Sequence, residues 1–157
     1  MAVRRLRTKE FPSWPHFSED EVAAVAEVMR SGYMNYRTGA HGRAFEREFA
    51  QACGTKHAVA VANGTLALEL ALRCVGIRPG DQVITSCRTF VATAGCVALL
   101  GATPIFAEVD RDTQNITADT IRAVLTPETR AIIAVHLGAI RATWILLFNS
   151  PTNGISF

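Results

Sequence analysis

The sequence predicts an α/β fold, in which a parallel sheet is covered by helices on both faces to give three layers, α/β/α. The first observation is the order of patterns, because short apolar runs alternate with helical patterns from Lys56 onward. The second is that these runs carry few polar residues, which is typical of parallel strands buried on both faces. The third is composition: 157 residues, 49% hydrophobic and 19% charged, are enough for a globular core.

Before the alternating region we expect an arm and two helices. Residues 1–17 contain prolines and aromatic rings and are interpreted as an extended arm that docks on something, such as a partner subunit. The first helix is predicted from Ser18, whose spacing to Glu21 is that of a capping box, and it ends at Gly32. A second, amphipathic helix is predicted over about 43–54.

The remaining elements are predicted from the alternation itself. In chain order they are strand His57–Ala62, helix Thr65–Val75, strand Gln82–Thr85, helix Thr89–Leu100, strand Thr103–Val109, helix Thr117–Leu125 and strand Thr129–His136. In such sheets ligands bind beyond the carboxyl ends of the strands. Polar residues at these ends are therefore candidates for a site: 63–65, 86–90, Asp110 and His136.

The stretch from Ala58 to Leu72 is predicted to be a buried strand, a tight turn at Asn63-Gly64-Thr65 and a helix. The first amides of a helix lack partners, and the positive end of the helix dipole favours an anion, so this turn could hold a phosphate. An ordinary strand–helix connection is the alternative, and turn chemistry alone favours it.

Several function classes are disfavoured by composition and by missing motifs. A net charge of +2 does not argue for nucleic acid, and the Gly-x-Gly-x-x-Gly and P-loop patterns of nucleotide sites are absent. The cysteines show no Cys-x-x-Cys spacing and are interpreted as small core residues of a reducing compartment, which argues against a zinc site: Cys53, Cys74, Cys87 and Cys96.

A membrane span and an export signal are also disfavoured. The longest uncharged stretch, Thr89–Ala107, is interrupted by Gly95, Gly101 and Pro104, so we interpret it as a helix followed by a strand. The N-terminus has no apolar h-region, so no signal peptide is expected and the expected location is cytoplasmic.

A set of short motifs occurs in a fixed order along the chain. They are Asn63-Gly64-Thr65-x-Ala67-Leu68, Gly76-Ile77-x-Pro79-Gly80-Asp81, Thr89-Phe90-x-Ala92-Thr93, Gly101-Ala102-x-Pro104, Val109-Asp110-x-Asp112-Thr113-x-Asn115 and Ile132-Ile133-x-Val135-His136. Together they resemble the DegT/DnrJ/EryC1/StrS family of pyridoxal-phosphate (PLP)-dependent sugar aminotransferases. The resemblance runs from about residue 11 to residue 138.

The resemblance implies the large domain of a type I PLP-dependent transferase. It also implies a homodimer and transfer of an amino group from an amino acid, glutamate in the first place, to a nucleotide-linked keto-sugar. By the family pattern, Gly64 and Thr65 bind the cofactor phosphate and Phe90 stacks on the pyridine ring. The alternatives are a plain helix cap for Thr65 and core packing for Phe90. His136 is as well explained by an ordinary histidine at a strand end.

The family's Schiff-base lysine lies downstream of the matching motifs, and it has no counterpart in this chain. The lysines present are Lys9, in the arm, and Lys56, at the start of a predicted strand. No catalytic residue is therefore assigned, and residues 18–138 are interpreted as the N-terminal part of a truncated large domain that is inactive by itself. Residues 139–157 depart from the family, and a one-base slip after Gly138 would permit the family's continuation, so we expect a frameshifted tail.

Three alternatives remain for function. One is a non-catalytic relative that binds PLP or a partner subunit and regulates. Another is a lysine-less sugar dehydratase of the same family. The third, a generic nucleotide-binding module, is disfavoured by the missing glycine fingerprint.

Overall fold

The structure is a computed structural model that describes residue 10 and residues 13–139. The chain divides into two compact units, Met1–Ala60 and Val61–Phe157, and each is described by itself. Most of the predicted arm, 1–17, and all but the first residue of the predicted tail, 139–157, lie outside the described residues. No helix in the described ranges is long and apolar enough to cross a membrane.

The first unit contains the two predicted helices. Helix α1 spans Glu19–Ser31 and helix α2 spans His41–Cys53. The carboxylate of Glu21 accepts hydrogen bonds at 2.7 Å from both the amide and the hydroxyl of Ser18, so the predicted link between these two residues is present. Each helix ends at a left-handed glycine, Gly32 or Gly54, as predicted.

The loop between α1 and α2 is fastened by the side chain of Glu46. The hydroxyl of Tyr36 donates to Glu46 Oε2 at 2.7 Å, and the amide of Ala60 donates to Glu46 Oε1 at 2.8 Å. These two donors hold the pKa of Glu46 below its ordinary value, with the Ala60 amide as the larger cause. Gly42 leaves room for the Tyr36 ring, because a Cβ there would lie 2.8 Å from that ring.

The second unit alternates helices and strands as the sequence predicts. Its elements are α3 (Gly64–Cys74), β1 (Gln82–Ser86), α4 (Ala92–Leu99), β2 (Thr103–Ala107), α5 (Ala118–Arg122) and β3 (Thr129–Ile133). The main differences are at element ends: α4 begins later than expected, and α5, β2 and β3 end earlier. A 3₁₀ turn, Leu137–Ala139, follows β3.

The three strands form a parallel sheet in the order β2-β1-β3. Successive residues of the central strand contribute to different apolar clusters, because side chains alternate between the faces of a strand. Val83 packs in a cluster with α3 and α4 residues, whereas Ile84 packs in a cluster with α5 residues. The helices therefore cover both faces of the sheet, and the predicted three-layer α/β/α fold is confirmed.

The predicted strand His57–Ala62 is wrong. This segment is not a strand in the structure, and Val59 and Val61 are 68% and 38% exposed. Its composition suits a buried strand, but a strand also needs a hydrogen-bonded neighbour. Within the described part of the chain, no strand pairs with this segment.

The interpretation of the cysteines as core residues is correct only for Cys96. That side chain is fully buried, and burial raises the pKa of its thiol. The other three are exposed: Cys53, Cys74 and Cys87. Two of these belong to the last turn of a helix and one to a loop, and such positions point away from the core more often than strand or mid-helix positions do.

Candidate functional site

The N-terminus of α3 is capped in a way that leaves its first amides available. Asn63 is extended, and its side-chain oxygen accepts a hydrogen bond from the amide of Leu66 at 3.0 Å. Asn63 is thus the cap, and the reading of Thr65 as a plain helix cap is wrong. The amides of Gly64 and Thr65 donate to no acceptor among residues 13–139. The helix therefore presents two unpaired donors at its positive end.

A cleft of about 550 Å³ lies beside these amides. Its lining comes from the beginning of α3 and from the end of the loop after β1 together with the first residues of α4. The lining residues are Gly64, Thr65, Ala67, Leu68, Phe90, Ala92 and Thr93. The structure thus brings together the three residues assigned to the cofactor by resemblance. Gly64 and Thr65 come from the start of α3, and Phe90 comes from the loop after β1.

The ring of Phe90 is 73% exposed, so in this chain Phe90 is not a core residue. Its backbone is held on both sides. Before it, the buried hydroxyl of Ser86 accepts from the amide of Arg88 and donates to its carbonyl, both at 3.1 Å. After it, the amide of Thr93 donates to the carbonyl of Phe90 at 3.0 Å. A held backbone with an exposed ring is suited to contact with a ligand.

The loop that follows β2 makes a compact turn over residues 110–115. The carboxylate of Asp110 accepts from the amide and the hydroxyl of Thr113 at 2.8 and 2.9 Å, which lowers the pKa of Asp110. Gln114 has a φ of 59°, in the left-handed region. A residue with a Cβ pays roughly 1–2 kcal/mol for that conformation, so the rest of the turn must hold it.

Two residues of this turn connect it to the neighbouring loops. The side-chain oxygen of Gln114 accepts from the guanidinium of Arg88, in the loop after β1. Asn115 is a buried residue, 2% exposed. Its side-chain oxygen accepts a hydrogen bond at 3.0 Å from the amide of Leu137, which follows β3. Asn115 belongs to one of the family motifs but was given no role from the sequence, and Gln114 occupies a position that the motif leaves open. The available signal was the Asp-x-x-Thr spacing, which is typical of a turn closed by an aspartate side chain.

The remaining candidates lie outside the cleft walls. His136 is exposed and comes three residues after β3 ends, and it is not among the residues that form the cleft. The carboxylate of Asp110 accepts hydrogen bonds from Thr113 within its own turn. Lys56 belongs to the other compact unit.

The parallel sheet with helices on both faces, and a helix whose first amides are unpaired beside a cleft, define an α/β domain of the kind that binds ligands beyond the carboxyl ends of its strands. Residues 15–140 match the DegT/DnrJ/EryC1/StrS aminotransferase family, and the chain belongs to that family. The expected family is confirmed over most of the chain.

Two relatives are similar over most of this chain. The spore coat polysaccharide biosynthesis protein SpsC of Bacillus subtilis (strain 168) is 45% identical over 126 residues, which are 80% of this chain and 32% of that protein. The aminotransferase from Psychrobacter cryohalolentis, a solved structure, is 48% identical with a TM-score of 0.79, over 82% of this chain and 32% of that one.

A third comparison bears on the cofactor. Spr1654 from Streptococcus pneumoniae, described as a sugar aminotransferase and solved in a PLP-form, is 32% identical with a TM-score of 0.79, over 85% of this chain and 34% of that one. The family and this PLP-form indicate pyridoxal phosphate as the cofactor. The chain spans about a third of the length of each of these three proteins.

Proposed function

We propose that the whole protein to which this chain corresponds is a PLP-dependent aminotransferase. It would transfer the amino group of glutamate to a nucleotide-linked keto-sugar, as a cytoplasmic homodimer. The described residues would supply one part of that active site, the phosphate end and one ring face of the cofactor. The observation that carries the proposal is the pair of unpaired α3 amides beside an exposed aromatic ring, in a chain that belongs to a sugar aminotransferase family.

The donors at the N-terminus of α3 suit the phosphate group of PLP. The amides of Gly64 and Thr65 and the hydroxyl of Thr65 offer three hydrogen-bond donors, and the 11-residue helix adds the positive end of its dipole. Gly64 is not required by its backbone, and a Cβ built on it meets no atom within 4 Å. The open space beside Gly64 is where a phosphate would approach the backbone.

The cleft also suits the pyridine ring of PLP. A planar aromatic cofactor needs a flat apolar face, and Phe90 offers one in the lining of the same cleft. The cleft volume of about 550 Å³ lies in the range of small-molecule and cofactor sites. When bound, PLP supplies an electron sink for a carbanion formed on the amino acid. The role of Phe90 is to hold the ring in orientation and to keep water from its face.

The residue that joins the cofactor covalently in the family is not supplied by positions 57–157, which contain no lysine. We therefore propose that the chain holds PLP by its phosphate and ring without a covalent bond. A regulatory relative that only binds the cofactor would behave in the same way. The DNA sequence across the codon for Gly138 separates the two, because a one-base slip that restores the family pattern and a downstream lysine favours the enzyme.

The binding half of the proposal is tested with a matched pair of threonine variants. Thr65→Val removes the hydroxyl at the proposed phosphate site, and Thr103→Val makes the same change at the start of β2, at the opposite edge of the sheet. The loss of one hydrogen bond to a charged group predicts a PLP dissociation constant about tenfold higher for Thr65→Val. Thr103→Val should match wild type. Equal constants for all three proteins would refute the site.

The catalytic half is tested by incubation with PLP, glutamate and a nucleotide-linked keto-sugar. We expect no 2-oxoglutarate and no adduct after borohydride reduction, because the chain offers no lysine at the site. Turnover together with a borohydride-stable adduct, both lost in Lys56→Ala, would contradict the proposal.

A further inference from the structure

We propose that Gln114 is a positioning residue for the cofactor ring. It holds Arg88, and through Arg88 it fixes the loop 87–91 that carries Phe90 to the cleft wall. The inference rests on the proposed function for the identity of the molecule that Phe90 contacts. The restraint on the loop itself does not depend on any cofactor.

The first observation is that both ends of the Gln114 amide are used. Its oxygen accepts a hydrogen bond from the guanidinium of Arg88, across the gap between the loops after β1 and β2. Its nitrogen donates to the carbonyl of Arg111 at 2.6 Å. The second bond restrains the rotation of the amide with its oxygen directed toward Arg88.

The second observation is the backbone of Gln114. Among the described residues other than glycine, it is the one with a positive φ, 59°. Glycine or asparagine adopts this conformation more readily than glutamine does. The surrounding turn holds Gln114 there, through its own amide, which donates to the carbonyl of Asp110 at 2.9 Å. A long side chain in a conformation that disfavours it is explained when the side chain itself makes the useful contact.

The third observation concerns the charge of Arg88. The ion pairs in the described ranges are Arg73–Glu69, Arg122–Asp119 and Arg130–Asp81. Within those ranges the guanidinium of Arg88 is instead held by the neutral amide of Gln114. A neutral acceptor orients the cation without cancelling its charge.

The contact with Gln114 restrains the backbone close to Phe90. Arg88 lies two residues before Phe90, and its backbone is already fastened to Ser86. The Gln114 contact adds a tether from outside the loop, on the side of β2. Without that tether the loop keeps its anchors at Ser86 and Thr93 and the hydrogen bond from the Cys87 amide to β2, but the part of the loop from Arg88 onward loses its hold on the turn 110–115.

Hydrogen–deuterium exchange of the full chain without cofactor tests the restraint. Gln114→Gly removes the amide and relieves the backbone, so it should leave the melting temperature unchanged or raised. It should speed exchange in the 87–91 peptide about fivefold, the effect of losing one hydrogen bond. A peptide covering β3 should be unaffected. Gln114→Glu keeps an acceptor for Arg88 and should restore slow exchange.

Two results of the exchange experiment would overturn the proposal. One is wild-type exchange of the 87–91 peptide in Gln114→Gly. The other is a Gln114→Glu variant that exchanges as fast as Gln114→Gly, since that would make the contact with Arg88 irrelevant.

A binding experiment separates positioning of the ring from a general defect. In Gln114→Gly the dissociation constant for PLP should rise about three- to fivefold, whereas that for inorganic phosphate should not change, because phosphate does not use Phe90. An equal rise for both ligands would contradict a role through the ring. If the wild-type chain binds neither ligand, the proposed cofactor site is wrong, and the exchange experiment still decides whether Gln114 restrains the loop.

Discussion

Two valines at the start and within α4 provide a direct test of how that helix is packed. Val97 is completely buried in the cluster between α4, α3 and the sheet, whereas Val91, just before the helix, is 76% exposed. Val97→Ala removes about two buried methylene equivalents, about 1.6 kcal/mol. A residual cavity of roughly 40 Å³ adds about 1 kcal/mol, so we expect a loss of about 2–3 kcal/mol in the free energy of unfolding. Val91→Ala should cost about 0.4 kcal/mol, because only a quarter of its side chain is covered.

Urea denaturation followed by circular dichroism measures both costs. Both variants should keep the wild-type m-value, since the surface exposed on unfolding is nearly the same. Equal costs for Val97→Ala and Val91→Ala would refute the packing described for α4. They would also remove the support for the cleft wall that this helix and its preceding loop provide.

Three further predictions follow from other contacts of the chain. Asn63→Ala removes the cap of α3 and should lower the free energy of unfolding by about 1 kcal/mol in urea denaturation. The hydrogen bonds from Thr113 lower the pKa of Asp110. The stabilisation from this contact is therefore complete above pH ~4 and is lost as the pH falls through the lowered pKa. The NMR shift of the Thr113 amide should follow that loss. Gly42→Ala places a Cβ against the Tyr36 ring and should weaken the hydrogen bond from Tyr36 to Glu46. That bond raises the pKa of Tyr36, so the pKa should fall toward its ordinary value in a spectrophotometric titration.

The sequence was most informative where local chemistry decides the structure. The link between Ser18 and Glu21 and the glycine at position 32 marked the ends of α1, and both are present. The alternation of patterns predicted the sheet, because parallel strands must be joined by crossovers. The strand prediction for residues 57–62 was wrong for the complementary reason. Its own residues suit a strand, but strand formation depends on a neighbour that no local pattern reveals.

Burial within α4 and the neighbouring loops could not be predicted in the same way. The helix is apolar all round, so its sequence does not show that Val97 faces the core while Leu99 is 69% exposed. At the proposed site, Gly64 and Thr65 were predicted from their place between an apolar run and a helix, and the structure places both at the N-terminus of α3. Gln114 was missed because its importance comes from a backbone conformation and from a contact with Arg88, 26 residues earlier.

The central claim, that the N-terminus of α3 binds the phosphate of PLP, is tested most directly by amide NMR during a titration of the chain with PLP. We predict saturable shifts at Gly64 and Thr65, the two amides without an acceptor, accompanied by shifts in the Phe90 loop. Inorganic phosphate should shift the same two amides and leave the Phe90 loop unchanged. Shifts confined to other parts of the chain, or none at saturating PLP, would contradict the claim.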